Sequence, residues 1–352
     1  MSLNHAQTEA VAHNKGPCMV LAGPGSGKTL TIAKRIEYLI MKHKVRPEEI
    51  LVITFTKYAA WEMKNRTRSI CGPSSYAVTF GTFHGIYYGI LKWAYRLNQS
   101  NLLSDEEKYR ILREILPGID WDQESEADEE KDYLQELAIE IGNVKNNCMD
   151  IEEYEPVKYT TEKFRKLYRT YEETKKKYRK IDFEDMLIQC RDLFMKRPDI
   201  LKKWQEKFQY ILVDEFQDVN QAQYDVVRML AAPQDNLFVV GDDDQSVYGF
   251  RGAKPGIMME FMKDYPKARQ ILLDVNYRSS GYIVKGALRV IGNNKIRFEK
   301  KIEAFRKPDE TVHVQEVKDP VQEAEYVLER IREYREKGVS YTDMAVLYRT
   351  NV

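Results

Sequence analysis

The run Ala22-Gly23-Pro24-Gly25-Ser26-Gly27-Lys28-Thr29 constrains this chain more than any other stretch. A short apolar segment, Cys18–Ala22, leads into it. Thr29–His43 leaves it with Ile32, Ile36, Leu39 and Ile40 at helical spacing. A strand, a glycine-rich turn and a helix in that order make a phosphate cradle. The glycines let backbone N–H groups converge on an anion, and the helix start adds its positive end. Lys28 offers a point charge to β- and γ-phosphates, and Thr29 offers a hydroxyl to Mg2+. The usual pattern opens on glycine, and here Ala22 holds that place. A glycine turn with a purely structural purpose would not require Lys and then Thr at the helix start. The run therefore predicts a nucleoside triphosphate site at the tip of a strand in an α/β sheet.

The rest of the chain alternates in the way such a sheet demands. Glu49–Phe55 reads as a second buried strand, followed by a helix from about Tyr58, and Val78–Phe80 starts a third strand. The pattern resumes at Tyr210–Val213, Leu237–Val240 and Ala268–Leu273, apolar runs of the length of central parallel strands. Between these stretches, from about Leu97 to Lys180, the chain is helical in pattern, tyrosine-rich and strongly charged. Gln123–Asp132 is an acidic run and Lys163–Lys180 a basic one studded with tyrosines. This block reads as a helical domain inserted into the sheet domain. The acidic run suits a solvated loop or a helix start. The basic run suits a solvated helix face or the border of a nucleic-acid groove. After Tyr277 a third unit is expected: a helix at Ile283–Ile291, a strand at Thr311–Val317, a helix at Val321–Lys337 and a strand at Asp343–Tyr348. Two strands leave that unit's sheet unfinished, so the chain reads as an incomplete piece of a larger protein.

Hydrolysis of a bound triphosphate needs more than the cradle. Asp214 and Glu215 follow the strand Tyr210–Val213, and carboxylates at that end of a parallel strand sit where such sheets bind ligands. Asp214 is placed to hold Mg2+, and Glu215 is a candidate general base for the attacking water. Asp242-Asp243-Asp244 after the next strand would repel one another without a cation or donors nearby. Gln245 can bond a γ-phosphate oxygen or the attacking water without adding charge. Taken alone, that run is equally a solvated turn.

Lys+Arg and Asp+Glu number 55 each, so the formal net charge is zero. A chain that coats nucleic acid by charge is excluded; any such site must be a local groove with aromatic platforms and a few basic groups. The four cysteines are scattered without a C-x-x-C pair, which suits thiols in a reducing compartment. No signal-like N-terminus and no apolar run near membrane-spanning length are present, so a cytoplasmic protein is expected.

Taken together, these blocks resemble the UvrD/Rep/PcrA branch of superfamily 1 DNA helicases, from Leu3 to Thr350 and in the family's order. Leu3-Asn4 with Gln7 resembles the N-terminal glutamine motif. Thr54-Phe55-Thr56, with Ala59-Ala60 and Glu62-Met63, looks like block Ia, and Gly81-Thr82-Phe83-His84 like Ib. Asp182-Phe183 with Asp185-Met186 is similar to the block that closes the helical insertion. Asp214-Glu215-Phe216-Gln217-Asp218 looks like motif II, Gly241 through Ala253 like motif III, and Asn276-Tyr277-Arg278-Ser279 like motif IV. The resemblance implies a RecA-like first domain in two parts, residues 1–96 and 189–275. A helical insertion at 97–188 and the start of a second RecA-like domain at 276–352 complete it.

It also implies roles. ATP and Mg2+ would be held by Gln7, which reads adenine, by Gly23, Gly25, Ser26, Gly27, Lys28 and Thr29, and by Tyr277, which stacks on the base. Arg278 would reach the γ-phosphate, joining Lys28, Glu215 and Gln245 in catalysis. Phe55, Tyr248 and Phe250 would be platforms for unstacked bases. Thr56 and His84 would touch the strand's backbone, with Thr82 in the same site, and Arg251 would link the DNA site to the phosphates. Single-stranded DNA and single-strand/duplex junctions are the implied partners, and 3′→5′ the implied direction.

The chain departs from the family at three places. Lys57-Tyr58 stand where it has Asn-Lys, Leu30 where it often has Arg, and Phe250 where it usually has Trp. The later motifs would lie beyond Val352, so weak or absent ATPase and no unwinding are expected of this stretch alone. Two other readings stay open: the motor part of a helicase–nuclease, and an ATP-gated module that binds single-stranded DNA without unwinding it.

Overall fold

The structure, a computed structural model, describes residues 3–119, 127–246, 254, 256–295, 297–307 and 311–348. Six parallel strands form the central sheet: β1 (Cys18–Ala22), β2 (Ile50–Thr54), β3 (Thr79–Thr82), β4 (Tyr210–Val213), β5 (Leu237–Gly241) and β6 (Arg269–Leu273), in the order β3-β2-β4-β5-β1-β6. β1 runs in register beside both β5 and β6, with Val20 opposite Val240 on one side and Ile271 on the other.

Successive side chains of each strand enter opposite layers. Met19, Leu21, Leu51, Ile53, Ile211, Val213, Leu237 and Val239 face one core. That core is filled by α4 (Phe83–Tyr95), α8 (Phe183–Lys196), α10 (Gln221–Ala231) and α11 (Ile257–Asp264). Cys18, Val20, Ile50, Val52, Leu212, Phe238 and Val240 face the other. There they meet α1 (His5–Ala12), α2 (Lys28–Met41) and α3 (Lys57–Cys71). Burial on both faces is why these strands read as unbroken apolar runs. The expected α/β sheet with helices on both sides is what the chain forms.

Between β3 and β4 the chain is helical: α4, α5 (Asp105–Ile115), α6 (Ala127–Asn146), α7 (Thr161–Lys177), α8 and α9 (Pro198–Lys207). Part of this stretch has a core of its own, built from Ile111, Leu112, Leu134, Leu137, Ile141, Phe164, Leu167 and Tyr171. The basic run is not a solvated face throughout. Lys175 is buried, and so is Lys145 of α6. Lys145 lies 2.6, 2.9 and 2.8 Å from Glu172, Asp182 and Asp185. Lys175 lies 2.8, 2.9 and 2.5 Å from the same three. These carboxylates are grouped closely enough to ligate a metal, but two ammonium groups fill the space between them. Burial works to raise the Asp182 pKa. Lys145 and Lys175 outweigh it and hold the carboxyl well below its ordinary range. The cluster ties α6 and α7 to the start of α8, which is itself rooted in the sheet's core.

Beyond β6, the strand β7 (Val275–Ser280) pairs in parallel with β8 (Glu303–Arg306), flanking α12 (Gly281–Ile291). The sequence pattern does not announce either strand, because each becomes one only through a partner more than twenty residues away. The chain divides into two compact units, Met1–Lys307 and Pro308–Val352. In the second, the expected helix is present as α13 (Pro320–Glu336). The strands expected at Thr311–Val317 and Asp343–Tyr348 are not formed. Tyr341–Asp343 is a short 3-10 turn, and the remaining described residues of both segments have no ladder partner. Val314 is 92% exposed and Leu347 94%. An apolar run becomes a buried strand only when a neighbour takes up its N–H and C=O groups, and none does so among the described residues.

Candidate functional site

β1 stops at Ala22 and α2 starts at Lys28, so the intervening turn hangs at the C-terminal edge of the sheet. Two of its glycines are obligatory. Gly25 (φ +66°) and Gly27 (φ +87°) take the left-handed conformation that side chains disfavour. A Cβ on Gly25 would come 2.5 Å from Arg278 Cβ, and one on Gly27 would come 2.8 Å from Gln7 Nε2. The turn is braced from three sides. The Ser26 hydroxyl donates to the Gly23 carbonyl at 2.7 Å. Gln7 Nε2 donates to the Ser26 carbonyl at 2.9 Å, while Gln7 Oε1 accepts from Asn4 N–H at 3.0 Å. Tyr277 N–H donates to the Gly25 carbonyl at 2.9 Å. The buried Gln7 thus holds the loop and α1 together in this structure.

β7 brings the motif IV residues to the same place. Asn276 Oδ1 accepts from the backbone N–H groups of Arg278 and Ser279 at 2.9 and 2.8 Å, turning that strand against Gly25. The Arg278 side chain is exposed there and has no carboxylate partner among the described residues. The Tyr277 hydroxyl accepts from Asn4 Nδ2 at 2.9 Å, and its ring lies 5.2 Å from that of Phe305.

The acidic strand tip completes the group. Lys28 Nζ stands 3.3 Å from Glu215 Oε2. Glu215 sits at φ +49°, a left-handed conformation rare for a residue with a side chain and typical of functional positions. Gln217, two residues on, donates to Glu215 Oε2 at 2.9 Å and accepts from Asp242 N–H at 3.0 Å. It bridges the tips of β4 and β5, a role that sequence spacing alone does not assign. Asp214 is buried; burial first, and then the Glu215 charge, push its carboxyl up to about 7 against the pull of Lys28. Lys28 is engaged by Glu215, so Asp214 is a buried oxygen donor short of positive charge. That is the chemistry of a Mg2+ ligand. With the Thr29 hydroxyl on the first turn of α2, the donor set fits the ion.

The three carboxylates after β5 find the cation they require far along the chain. Lys300 Nζ lies 2.5, 2.5 and 2.8 Å from Asp242, Asp243 and Asp244, and Arg297 lies 2.6 Å from Asp244. Nothing local announces Lys300, because its partners are more than fifty residues away. Gln245 Nε2 donates to Asp242 at 2.6 Å. Gln245 also borders an apolar cavity of about 430 Å³ with Gly23, Pro24, Ile283, Leu288 and Ile302.

On the other side of motif II, Phe55 and His84 line a cavity of about 580 Å³ between the sheet domain and the helices inserted in it. Ile139, Asn146, Phe183 and Asn220 complete its walls. The His84 ring meets Phe183 edge-on at 5.8 Å. Burial lowers the His84 pKa and so favours the neutral ring, an effect that the Glu184 charge partly offsets. The Thr56 and Thr82 hydroxyls cap α3 and α4, accepting from Ala59 and Gly85 N–H at 3.0 and 3.1 Å. Asn220 Nδ2 donates to Asn146 Oδ1 at 3.1 Å, joining the end of motif II to α6. Tyr248, Phe250 and Arg251 lie outside the described residues, as does part of the acidic run Gln123–Asp132.

Comparison with known proteins gives the family. The family described as UvrD/REP helicase N-terminal domain matches residues 3–266, and the UvrD-like helicase C-terminal domain matches residues 271–352. The chain is 40% identical over 362 residues to the "Putative ATP-dependent DNA helicase YjcD" of Bacillus subtilis (strain 168), covering 100% of this chain and 46% of that protein. It is 36% identical over 357 residues to the ATP-dependent DNA helicase PcrA of Staphylococcus aureus (strain Mu50 / ATCC 700699), covering 99% and 48%. PcrA of Staphylococcus epidermidis is 35% identical over the same length. The chain therefore spans about half the length of the curated relatives it matches. No helix among the described residues is long and apolar enough to cross a membrane.

Proposed function

The chain belongs to the UvrD/REP helicase family, and from that premise we propose that it carries the ATP site and part of the DNA track of a motor that moves along single-stranded DNA. The observation that carries the reading is the convergence of Lys28, Glu215 and the Arg278 segment on one phosphate loop. The loop amides and Lys28 hold the β- and γ-phosphates. Thr29 and Asp214 would hold Mg2+, which would supply positive charge beside the phosphates. Glu215 accepts the proton of the attacking water once the nucleotide draws Lys28 away. Arg278, exposed beside Gly25, stabilises charge on the γ-phosphate. Gln245 leaves Asp242 to sense that phosphate, and Tyr277 stacks on the adenine.

The strand follows the groove at Phe55, Thr56, Thr82 and His84 and continues over Tyr248, Phe250 and Arg251. Single-strand/duplex junctions are the proposed substrate and 3′→5′ the proposed polarity, both supported by the family resemblance. DNA repair or replication is the matching role, and the cytoplasm the matching compartment.

The test is steady-state ATPase of the full-length gene product with and without single-stranded DNA. Wild type is expected to be stimulated by DNA. Glu215→Gln should bind nucleotide yet lose roughly 10²–10⁴-fold in turnover. Arg278→Ala should lose roughly 10³-fold or more. Turnover by Glu215→Gln at the wild-type rate would remove the assignment.

A further inference from the structure

α3 begins immediately after Phe55 and Thr56, and its outer face is unlike that of an ordinary surface helix. Tyr58 is 70% exposed and Trp61 59%, with ring centroids 5.8 Å apart and planes tilted by 34°. The core needs neither ring. Ala60, Met63, Thr67 and Cys71 supply the buried face of this helix.

Cations are interleaved with the rings. Lys57, Trp61, Lys64 and Arg68 recur at helical spacing along one stripe, with Tyr58 on its flank. Arg68 extends the stripe by lying 4.8 Å over the exposed ring of Tyr76. The helix's single carboxylate, Glu62, stands one turn beyond Tyr58 and pairs with Arg66 at 3.4 Å. Lys57 and Lys64 have no carboxylate partner among the described residues. Large exposed aromatics are costly to leave in water, and a row of them alternating with unpaired cations matches the alternation of bases and phosphates in an unpaired strand. Tyr58 also stands where the family carries a lysine, and Lys57 keeps that charge one position earlier, so a ring is added near the groove residue Phe55.

We propose that this face of α3, centred on Tyr58 and Trp61, is an additional base-stacking platform for single-stranded DNA, continuous with Phe55, with Lys57 and Lys64 meeting the phosphates. The proposal rests on the reading of this chain as part of a motor on single-stranded DNA. It adds two rings at positions within block Ia other than those quoted for the resemblance.

The experiment is fluorescence-anisotropy titration of a fluorescein-labelled oligothymidylate with the full-length gene product over a range of salt. Phe55→Ala is included to report on the groove itself. Tyr58→Ala and Trp61→Ala are each expected to raise the Kd at least about fivefold with the salt dependence unchanged. Lys57→Ala/Lys64→Ala should raise it and flatten the salt slope by about 0.7 for each phosphate that is no longer neutralised. Trp61→Phe should keep most of the affinity but lose part of the tryptophan quenching that the oligonucleotide causes. Both rings are exposed, so circular-dichroism melts should match wild type.

If Phe55→Ala weakens binding while the Tyr58 and Trp61 variants bind as wild type does, the groove reading stands and this proposal is overturned. If wild type binds no oligothymidylate, both readings fall together.

Discussion

Gly25 carries more of the site than a residue without a side chain suggests. Its positive φ and the 2.5 Å approach of Arg278 Cβ mean that the phosphate loop and motif IV can touch only while position 25 is glycine. Gly25→Ala is expected to cost about 1–2 kcal/mol from the left-handed backbone alone. The clash adds to that by pushing β7 off the loop. Thermal melts and nucleotide titration of this variant check both effects, and a variant that melts and binds like wild type would refute the close packing.

At this scale the sequence is readable where chemistry is local. Lys28, Thr29, Asp214 and Glu215 follow from a turn and a strand tip whose neighbours in the chain explain them. Gln217 is in view within motif II, but its work depends on Asp242 N–H, a partner that sequence spacing does not announce. Lys300 is invisible for the same reason, although the repulsion among Asp242, Asp243 and Asp244 demands some cation.

Among the elements, β1, β2, β4 and β5 are legible because strands buried on both faces must be continuously apolar. β7 and β8 are not, since Asn276-Tyr277-Arg278-Ser279 is polar and becomes a strand only by pairing. The segments at Thr311–Val317 and Asp343–Tyr348 fail in the opposite direction: apolar enough to be strands, they lack a neighbour among the described residues.

The helical insertion is held by charge as well as by apolar packing. Lys145 and Lys175 share Asp182 and Asp185 in the buried interior, so each depends on the others. Asp182→Asn is expected to lower stability by about 3–5 kcal/mol in urea unfolding, because it leaves buried ammonium charge uncompensated. The pH dependence has a definite sign. Asp182 is held below its ordinary value of 3.8, so its contribution is complete above that pH and lost as pH falls through the depressed value. An unfolding midpoint unaffected by Asp182→Asn at neutral pH would contradict this account.

Over the whole unit Met1–Lys307, the phosphate loop and the Phe55 groove lie on either side of motif II. Glu215 turns toward Lys28, while Asp218 and Asn220 line the groove. The Asn220–Asn146 hydrogen bond then carries the connection to α6, whose Lys145 reaches the buried cluster. In the proposed motor, this one short segment of chain is the contiguous route by which nucleotide and strand would influence each other.

The most direct test of the central claim is a crystal structure of the chain with Mg2+ and a non-hydrolysable ATP analogue. The expected result puts Mg2+ about 2.0–2.1 Å from the Thr29 hydroxyl, with Asp214 in its coordination sphere. Lys28 should be released from Glu215 onto the phosphates, with the Arg278 guanidinium turned to the γ-phosphate. An analogue bound away from Gly23–Thr29, or bound there with Lys28 still on Glu215 and Arg278 pointing elsewhere, would contradict it.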